Sequence, residues 1–76
     1  MLTKPKTSGT RQALLDGARI VFAEVGVRNA NMIEIADRSE VARATLYNHF
    51  RDKDELVAAL IEDEIERLRN LIASAP

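Results

Sequence analysis

The stretch of residues 31–50, NMIEIADRSEVARATLYNHF, constrains the fold of this chain more than any other. Its apolar positions are typical of two short helices that meet at a tight turn. Ile35 and Ala36 fall on the inner face of the first helix, and Val41 lies at the turn. Leu46 anchors the inner face of the second helix. A small residue at Ala36 suits two helices that cross steeply, because a large side chain there would hold them apart. The pattern predicts a helix-turn-helix, a unit that commonly reads DNA.

The second of these helices is predicted to turn a distinctive set of side chains outward. At about 100° per residue, and with Leu46 directed into the core, the other positions divide between an outer face and its two flanks. The outward and flanking side chains are Arg43, Ala44, Thr45, Tyr47 and Asn48. They offer a guanidinium, a carboxamide, hydroxyls and a methyl group, which can pair with base edges and phosphates in a groove wide enough for a helix. None of them is acidic, so none repels a phosphate.

The size and composition of the chain narrow the classes of protein that it can belong to. Its 76 residues make one small domain, and it has no cysteine for a disulfide or a thiolate metal site. No apolar segment follows the charged N-terminus, and the longest uninterrupted apolar run covers only residues 56–61. We therefore expect no signal peptide, no membrane span and a cytoplasmic location. A single histidine leaves no nucleophile–base pair or metal cluster, so we expect neither an enzyme nor a cofactor.

The charge of the chain is unevenly distributed along the sequence. Residues 1–51 hold eight lysines and arginines against five acidic residues, whereas residues 52–76 hold three basic residues against seven acidic ones. The overall formal charge is −1. A molecule polarised in this way is expected to present its basic end to nucleic acid. Two solvated helix faces are the alternative, and charge asymmetry alone does not decide between them.

The first ten residues are predicted to form a flexible basic arm. Contacts of Lys4 and Lys6 with a neighbouring groove are one reading of this arm, and a simple unstructured terminus is the other. Thr10 is the expected N-cap of a first helix over residues 11–25. The apolar stripe of this helix consists of Leu14, Ala18, Val21, Phe22 and Val25.

Two glycines have different expected roles in this first helix. Gly17 lies in its interior, where glycine is unfavourable unless another helix approaches closely. Gly26 is expected to end the helix in a left-handed conformation, which glycine adopts without a steric penalty.

Cap signatures predict where the next helices begin. Asn31 with Glu34 three residues later resembles a capping box at the start of the second helix. Because a helix N-terminus also attracts phosphate, a phosphate contact of Asn31 stays open beside the cap. Asp52 and Glu55 repeat the signature for a last helix over about residues 53–73.

The last helix carries an apolar stripe that is longer than the core needs. Its first part, Leu56, Val57, Leu60 and Ile61, is expected to pack on the other helices. Its second part, which we call the distal stripe, consists of Ile65, Leu68, Leu71 and Ile72. An apolar surface with nothing to cover indicates a missing partner, which is either another domain or a second chain. A helical protein-interaction module that uses the distal stripe is the alternative function.

Three segments together resemble a known family. They are Arg11-x-x-Leu14-x-x-x-Ala18-x-x-x-Phe22-x-x-x-Gly26, the pair Ile35-Ala36, and Thr45-Leu46-Tyr47-x-His49-Phe50-x-x-Lys53-x-x-Leu56. With these segments, residues 11–60 resemble the N-terminal DNA-binding domain of TetR-family transcriptional regulators. The resemblance implies an all-α fold, a three-helix helix-turn-helix (homeodomain-like) bundle followed by a long fourth helix.

The resemblance also implies partners and an assembly. Members of this family bind pseudo-palindromic operators in double-stranded DNA as homodimers, usually as repressors. A larger C-terminal domain dimerises and binds a small effector that releases the DNA. Residues 61–76 would then lead toward such a domain, which this sequence lacks.

The resemblance assigns roles to individual side chains. It implies base reading by Arg43, Ala44 and Asn48, the positions that the helical geometry also directs outward. It implies phosphate contacts from Asn31, Thr45, Tyr47, His49 and Lys53. Arg43 would pair with guanine and Asn48 with adenine.

Several positions keep two readings at the level of sequence. Glu40 stands where the family commonly has glycine, so either the turn differs in shape or its carboxylate points away from DNA. The ring of Tyr47 packs on the helix pair, exposes its hydroxyl, or does both. His49 lies partly inward by the same geometry, which suits packing as well as a phosphate contact. The acidic residues Glu62, Asp63, Glu64 and Glu66 are expected to form a solvated face and no cation site.

Overall fold

Four helices account for nearly all of the chain in a computed structural model, which describes residues 6–74 and the side chains from residue 9 onward. They are α1 (Lys6–Asn29), α2 (Met32–Ser39), α3 (Arg43–His49) and α4 (Lys53–Ala73). Helix α1 packs against both α2 and α4, and α2 packs against α3. This part of the chain contains no strand. The predicted all-α fold, a helix-turn-helix bundle followed by a long last helix, is confirmed.

A single apolar core joins the four helices. Its buried members are Leu14, Leu15, Ala18, Val21, Ala30, Met32, Ile35, Ala36, Leu46, Phe50, Leu56 and Ala59. The inward positions predicted for the helix-turn-helix, Ile35, Ala36 and Leu46, are all fully buried. Val25 was expected in the stripe of α1 but is 38% exposed, because it lies beyond the part of α1 that the other helices cover.

The two ends of α1 differ from the sequence-based expectation. The helix begins at Lys6, so Thr10 lies inside it and is not its N-cap. Threonine, serine and glycine cost at most about 1 kcal/mol each in a helix, which does not prevent helical residues before position 10. At the other end, Gly26 (φ 84°, ψ 157°) kinks the helix, and a short helical segment continues to Asn29.

The conformation of Gly26 is more restrictive than the left-handed one that was expected. Its combination of angles is accessible essentially to glycine alone. The backbone N–H of Ala30 then donates to the carbonyl oxygens of Gly26 (3.1 Å) and Val27 (3.3 Å). The regular part of α1 thus ends at this glycine as predicted, but with a different backbone conformation and with a short second helical segment that continues to Asn29.

Helices α1 and α2 cross at Gly17, where their backbones come close. A β-carbon at Gly17 would lie 2.0 Å from Ser39 Oγ, 3.1 Å from its Cβ and 3.2 Å from its backbone nitrogen. The Ser39 hydroxyl donates to the Ile35 carbonyl oxygen at 2.7 Å, so it already has a fixed partner. The expected close approach of another helix at Gly17 is confirmed.

Both ends of α2 are defined by local hydrogen bonds. Asn31 is its N-cap, and the Asn31 side chain accepts a bond from the Glu34 N–H at 2.8 Å. At the other end, Glu40 is left-handed (φ 58°, ψ 40°). The Val41 N–H donates to the Ala36 carbonyl oxygen (3.0 Å) and the Glu40 N–H to that of Asp37 (3.1 Å). These two bonds form a Schellman motif. Glu40 therefore adopts the left-handed conformation that glycine commonly adopts at this position, and the turn has the usual shape.

Helix α4 extends well beyond the core. Asp52 caps it by accepting a bond from the Glu55 N–H at 3.0 Å, as expected. Leu56 and Ala59 are buried and Leu60 packs against the core, but Ile61, which was expected to pack there, is 54% exposed because it lies at the edge of the core. The distal stripe is between 51% and 70% exposed. Nothing among residues 9–74 covers it.

An ion-pair network joins α4 to α1 near the middle of each helix. Arg19 contacts Asp16 (3.2 Å), Asp63 (3.3 Å) and Glu64 (2.8 Å). Arg67 also contacts Asp63, at 3.2 Å. Part of the acidic face predicted on α4 is thus paired with arginines instead of being simply solvated. None of the helices described for residues 6–74 is long and apolar enough to cross a membrane.

Candidate nucleic-acid interface

The outer face of α3 is the candidate site. Its N-terminus follows Ala42, which has an extended backbone and makes no side-chain cap. Arg43, Ala44 and Asn48 are all exposed, whereas Leu46 is fully buried. The core thus fixes the rotation of α3, and the three side chains predicted to read bases share the outer surface. None of these side chains bonds to another residue of the part described, so they are available to a ligand.

The flanks of α3 carry the side chains predicted to contact phosphate. Thr45 is half-buried, and Tyr47 is 49% exposed, so about half of its surface is open to solvent. His49 is exposed, with its ring centroid 6.1 Å from that of Phe50. Phe50 is 4% exposed and closes the apolar core at the end of α3. Exposure of His49 favours the ligand-binding reading over packing in the core.

One cation beside this surface was missed at the level of sequence. The guanidinium carbon of Arg11 lies 5.5 Å from the centroid of the Phe50 ring. Arg11 thereby places a positive charge next to the carboxyl end of α3. Its position in the motif of α1 gave no indication of this neighbour, because the contact depends on how α1 packs across the helix-turn-helix.

Asn31 lies at the start of α2 and is exposed. Its side-chain oxygen accepts the Glu34 N–H, so the cap is formed. The reciprocal bond, in which the Asn31 backbone N–H would donate to the Glu34 carboxylate, is not formed, which makes the capping box one-sided. The amide nitrogen of Asn31 has no partner among the residues described and stays open to a phosphate.

Lys53 is placed differently from the other predicted phosphate contacts. It is half-buried, and its Nζ donates to the carbonyl oxygens of Val27 (2.6 Å), Arg28 (3.2 Å) and Ala30 (2.8 Å). The structure therefore does not bring its ammonium group to the surface that α3 presents. A phosphate contact by Lys53 requires that these bonds open.

The predicted contacts of the N-terminal arm fall at the limit of the structure. Lys4 lies outside the described residues, and Lys6 is described only by its helical backbone. Both remain predictions.

One ion pair joins α1 to α2 near the turn. Arg38 donates to the Glu24 carboxylate, which lowers the pKa of Glu24 and raises the pKa of Arg38. Glu40, in the turn before α3, is exposed. It is the nearest carboxylate in sequence to the outer face of α3, three residues before Arg43.

Comparison with protein families gives a match over most of the helical bundle. Residues 14–60 match the family described as bacterial regulatory proteins, tetR family. The matched range runs from the first buried residue of α1 to the end of the buried part of α4. It contains the whole of α2 and α3.

Curated relatives carry related names. The chain is 40% identical over 58 residues to the HTH-type transcriptional repressor Rv1474c of Mycobacterium tuberculosis, covering 76% of this chain and 31% of that protein. It is 37% identical over 71 residues to the repressor KstR2 of Rhodococcus jostii, covering 88% and 35%. It is 31% identical over 68 residues to the repressor AcnR of Corynebacterium glutamicum, covering 90% and 36%. The chain thus spans about a third of the length of these relatives. No solved structure gives a significant match.

Proposed function

The chain belongs to the tetR family of bacterial regulatory proteins, and from this membership we propose that its helix-turn-helix binds double-stranded DNA in a sequence-specific manner. The observation that carries the proposal is the orientation of α3. Leu46 is fully buried, and the exposed side chains opposite it are a guanidinium, a methyl group and a carboxamide. A helix of this kind fits the major groove of B-DNA, where such groups distinguish base pairs.

Each group on this surface has a proposed role. Arg43 donates two bonds to guanine O6 and N7, Asn48 pairs with adenine, and Ala44 contacts a base edge or a thymine methyl. Asn31, Thr45, Tyr47 and His49 contact phosphates on either side of the groove and fix the register of α3. Lys53, the remaining residue of the predicted phosphate set, is treated separately below because of its bonds to α1.

The wider activity follows from the family. The family is one of transcriptional regulators, and the prediction that the chain is not an enzyme is confirmed. We propose that the complete regulator is a homodimeric repressor released from a pseudo-palindromic operator by a small effector. The repressor names of KstR2 and AcnR support this proposal. In such a dimer, the two half-sites lie about one turn of DNA apart or a multiple of it.

The distal stripe favours a second function, protein interaction through α4. Its four apolar side chains are more than half exposed, and a monomer does not usually leave such a row uncovered. This function predicts partner binding that persists at high salt, whereas DNA affinity falls steeply as salt rises. The two functions are compatible, because they use opposite ends of the molecule.

Selection of binding sites from random duplex DNA tests the proposed function. We expect the parent chain to enrich one half-site, and Arg43→Ala to relax the preference at one base position by about 1–3 kcal/mol. The matched control is Arg69→Ala, which removes the same charge from an exposed position near the far end of α4. It should leave the selected site unchanged. If the parent enriches no sequence, the DNA-reading function is wrong. If Arg43→Ala selects the parental site unchanged, the role of Arg43 is wrong.

A further inference from the structure

The ammonium group of Lys53 lies on the carboxyl end of α1. Its Nζ is 2.6 Å from the carbonyl oxygen of Val27, 3.2 Å from that of Arg28 and 2.8 Å from that of Ala30. An ammonium group has three N–H donors, so these bonds occupy all of them. Carbonyls at the end of a helix lack the usual intrahelical partners four residues on and carry partial negative charge. Lys53 therefore caps α1 from a position more than 20 residues away in sequence.

The capped segment is also the point from which α2 starts. The Ala30 carbonyl belongs to the peptide unit that leads directly into Asn31, the N-cap of α2. The carbonyl of Asn31 accepts the first bond of α2, from the Ile35 N–H at 3.1 Å. Lys53 is the first residue of α4, and its side chain thus bonds to the peptide unit from which α2 starts.

The position of α2 determines that of α3. Helix α3 packs on α2 through the Schellman turn at Glu40 and through the buried side chains of Ala36 and Leu46. A displacement of the start of α2 therefore displaces the outer face of α3. A change at Lys53 would thus reach the outer face of α3 as a displacement of packed helices.

We propose that Lys53 is a positioning residue for DNA binding, which acts by holding the α1–α2 turn, and through it α3, in place relative to α4. In this role its ammonium group donates hydrogen bonds to the backbone carbonyls at the end of α1 and does not bind a phosphate. The inference rests on the proposed DNA-binding function. It replaces the phosphate contact that the family resemblance implies for this lysine.

The test compares Lys53→Met with the parent and with Arg69→Met, which removes one positive charge from the far end of α4. DNA affinity is measured at several salt concentrations on the site selected by the parent, at a temperature where circular dichroism shows each protein folded. We expect Lys53→Met to bind about tenfold more weakly, as for loss of one charge-assisted hydrogen bond. The slope of log affinity against log salt should stay unchanged. Loss of a phosphate contact instead reduces the slope by about 0.9.

A second measurement, without DNA, separates this inference from the proposed function. Amide hydrogen exchange in Lys53→Met should be faster at residues 30–35 than in the parent, whereas Arg69→Met should not change it. If the slope falls by about 0.9, or if folded Lys53→Met binds with parental affinity, the positioning role is overturned. Unchanged exchange at residues 30–35 also overturns it. If Lys53→Met does not fold, Lys53→Gln, which keeps two donors, is judged by the same criteria.

Discussion

At the scale of single residues, the turn before α3 holds a residue with a side chain in the left-handed conformation that favours glycine. Glu40 has φ 58° and ψ 40°, and it is the one non-glycine residue with positive φ in the described chain. A side chain in this conformation costs about 1–2 kcal/mol, because its β-carbon crowds the following carbonyl oxygen. The Schellman bonds and the burial of Ala36 and Leu46 hold the turn in this conformation against that cost.

Replacing Glu40 with glycine should therefore stabilise the domain. Relief of the left-handed conformation contributes about 1–2 kcal/mol, and the greater freedom of glycine in the unfolded chain offsets about 0.5–1 kcal/mol of it. We expect Glu40→Gly to raise the free energy of unfolding by about 0.5–1 kcal/mol, measured by urea denaturation. Glu40→Ala is the matched control, because it removes the same carboxylate and keeps the β-carbon. Equal stability of the two variants would show that charge, and not backbone conformation, determines the cost at this position.

Residue roles that depend on local sequence could be predicted, whereas those that depend on packing could not. The caps at Asn31 and Asp52 were predictable because donor and acceptor lie three residues apart on one segment. The outward direction of Arg43 and Asn48 followed from the rotation that buried Leu46 imposes. The bonds of Lys53 could not be predicted, because its acceptors are backbone carbonyls oriented by the kink at Gly26. The cation–π contact of Arg11 with Phe50 likewise depends on the packing of α1.

At the scale of helices, the start of α4 is set by two overlapping interactions of its first turn. Asp52 accepts the Glu55 N–H, and the Glu55 carboxylate in turn accepts the Arg51 backbone N–H at 2.7 Å. The Arg51 guanidinium also contacts this carboxylate, at 3.1 Å. The bond from the Arg51 backbone N–H, followed by that from its side chain, lowers the pKa of Glu55. Because of this lowered pKa, the stability of the first turn of α4 depends on pH.

Acidification should weaken this start of α4. A carboxyl group whose pKa is lower in the folded state stabilises that state when it is ionised. The stabilisation is present above the unfolded pKa of about 4.3 and is lost as the pH falls through the lower pKa of folded Glu55. We expect the free energy of unfolding of the parent to fall more steeply over this range than that of Glu55→Gln. Denaturant titrations at a series of pH values measure the difference, and parallel profiles would show that Glu55 makes no linked contribution.

Helix boundaries were predictable where caps and apolar periodicity agree. The last helix was expected over about residues 53–73 and occupies Lys53–Ala73. For α1, a good capping residue at Thr10 suggested a start that the backbone does not use. Val25 and Ile61 continue the apolar periodicity of their helices beyond the region where another helix covers them. Periodicity alone does not report where that cover ends.

At the scale of the whole molecule, the two ends differ in chemistry. One end presents the cation, amide and hydroxyl groups of α3, and the other presents the distal stripe and the acidic residues of α4. The chain spans about a third of the length of its relatives. We propose that another part of a complete regulator, or a second copy of it, covers the distal stripe.

The isolated chain should associate through the distal stripe as its concentration rises. Apolar side chains exposed in a row lose contact with water when two copies pair. We expect Leu68→Glu to weaken this association, since it places a carboxylate in the middle of the stripe. Asn70→Glu is the matched control, because it adds the same charge about 200° away around the helix. Sedimentation equilibrium measures both, and a parent chain that stays monomeric at every concentration would contradict the expectation.

The freedom of Arg43, Ala44 and Asn48 from bonds within the domain has a consequence for how such regulators diversify. These side chains contribute little to folding, whereas Leu46 on the buried face of α3, and Gly17 and Gly26 in α1, allow almost no change. Under the proposed function, substitutions on the outer surface would retarget the protein to a new operator while its thermal stability stays constant. Recognition and robustness can be altered independently in this small scaffold.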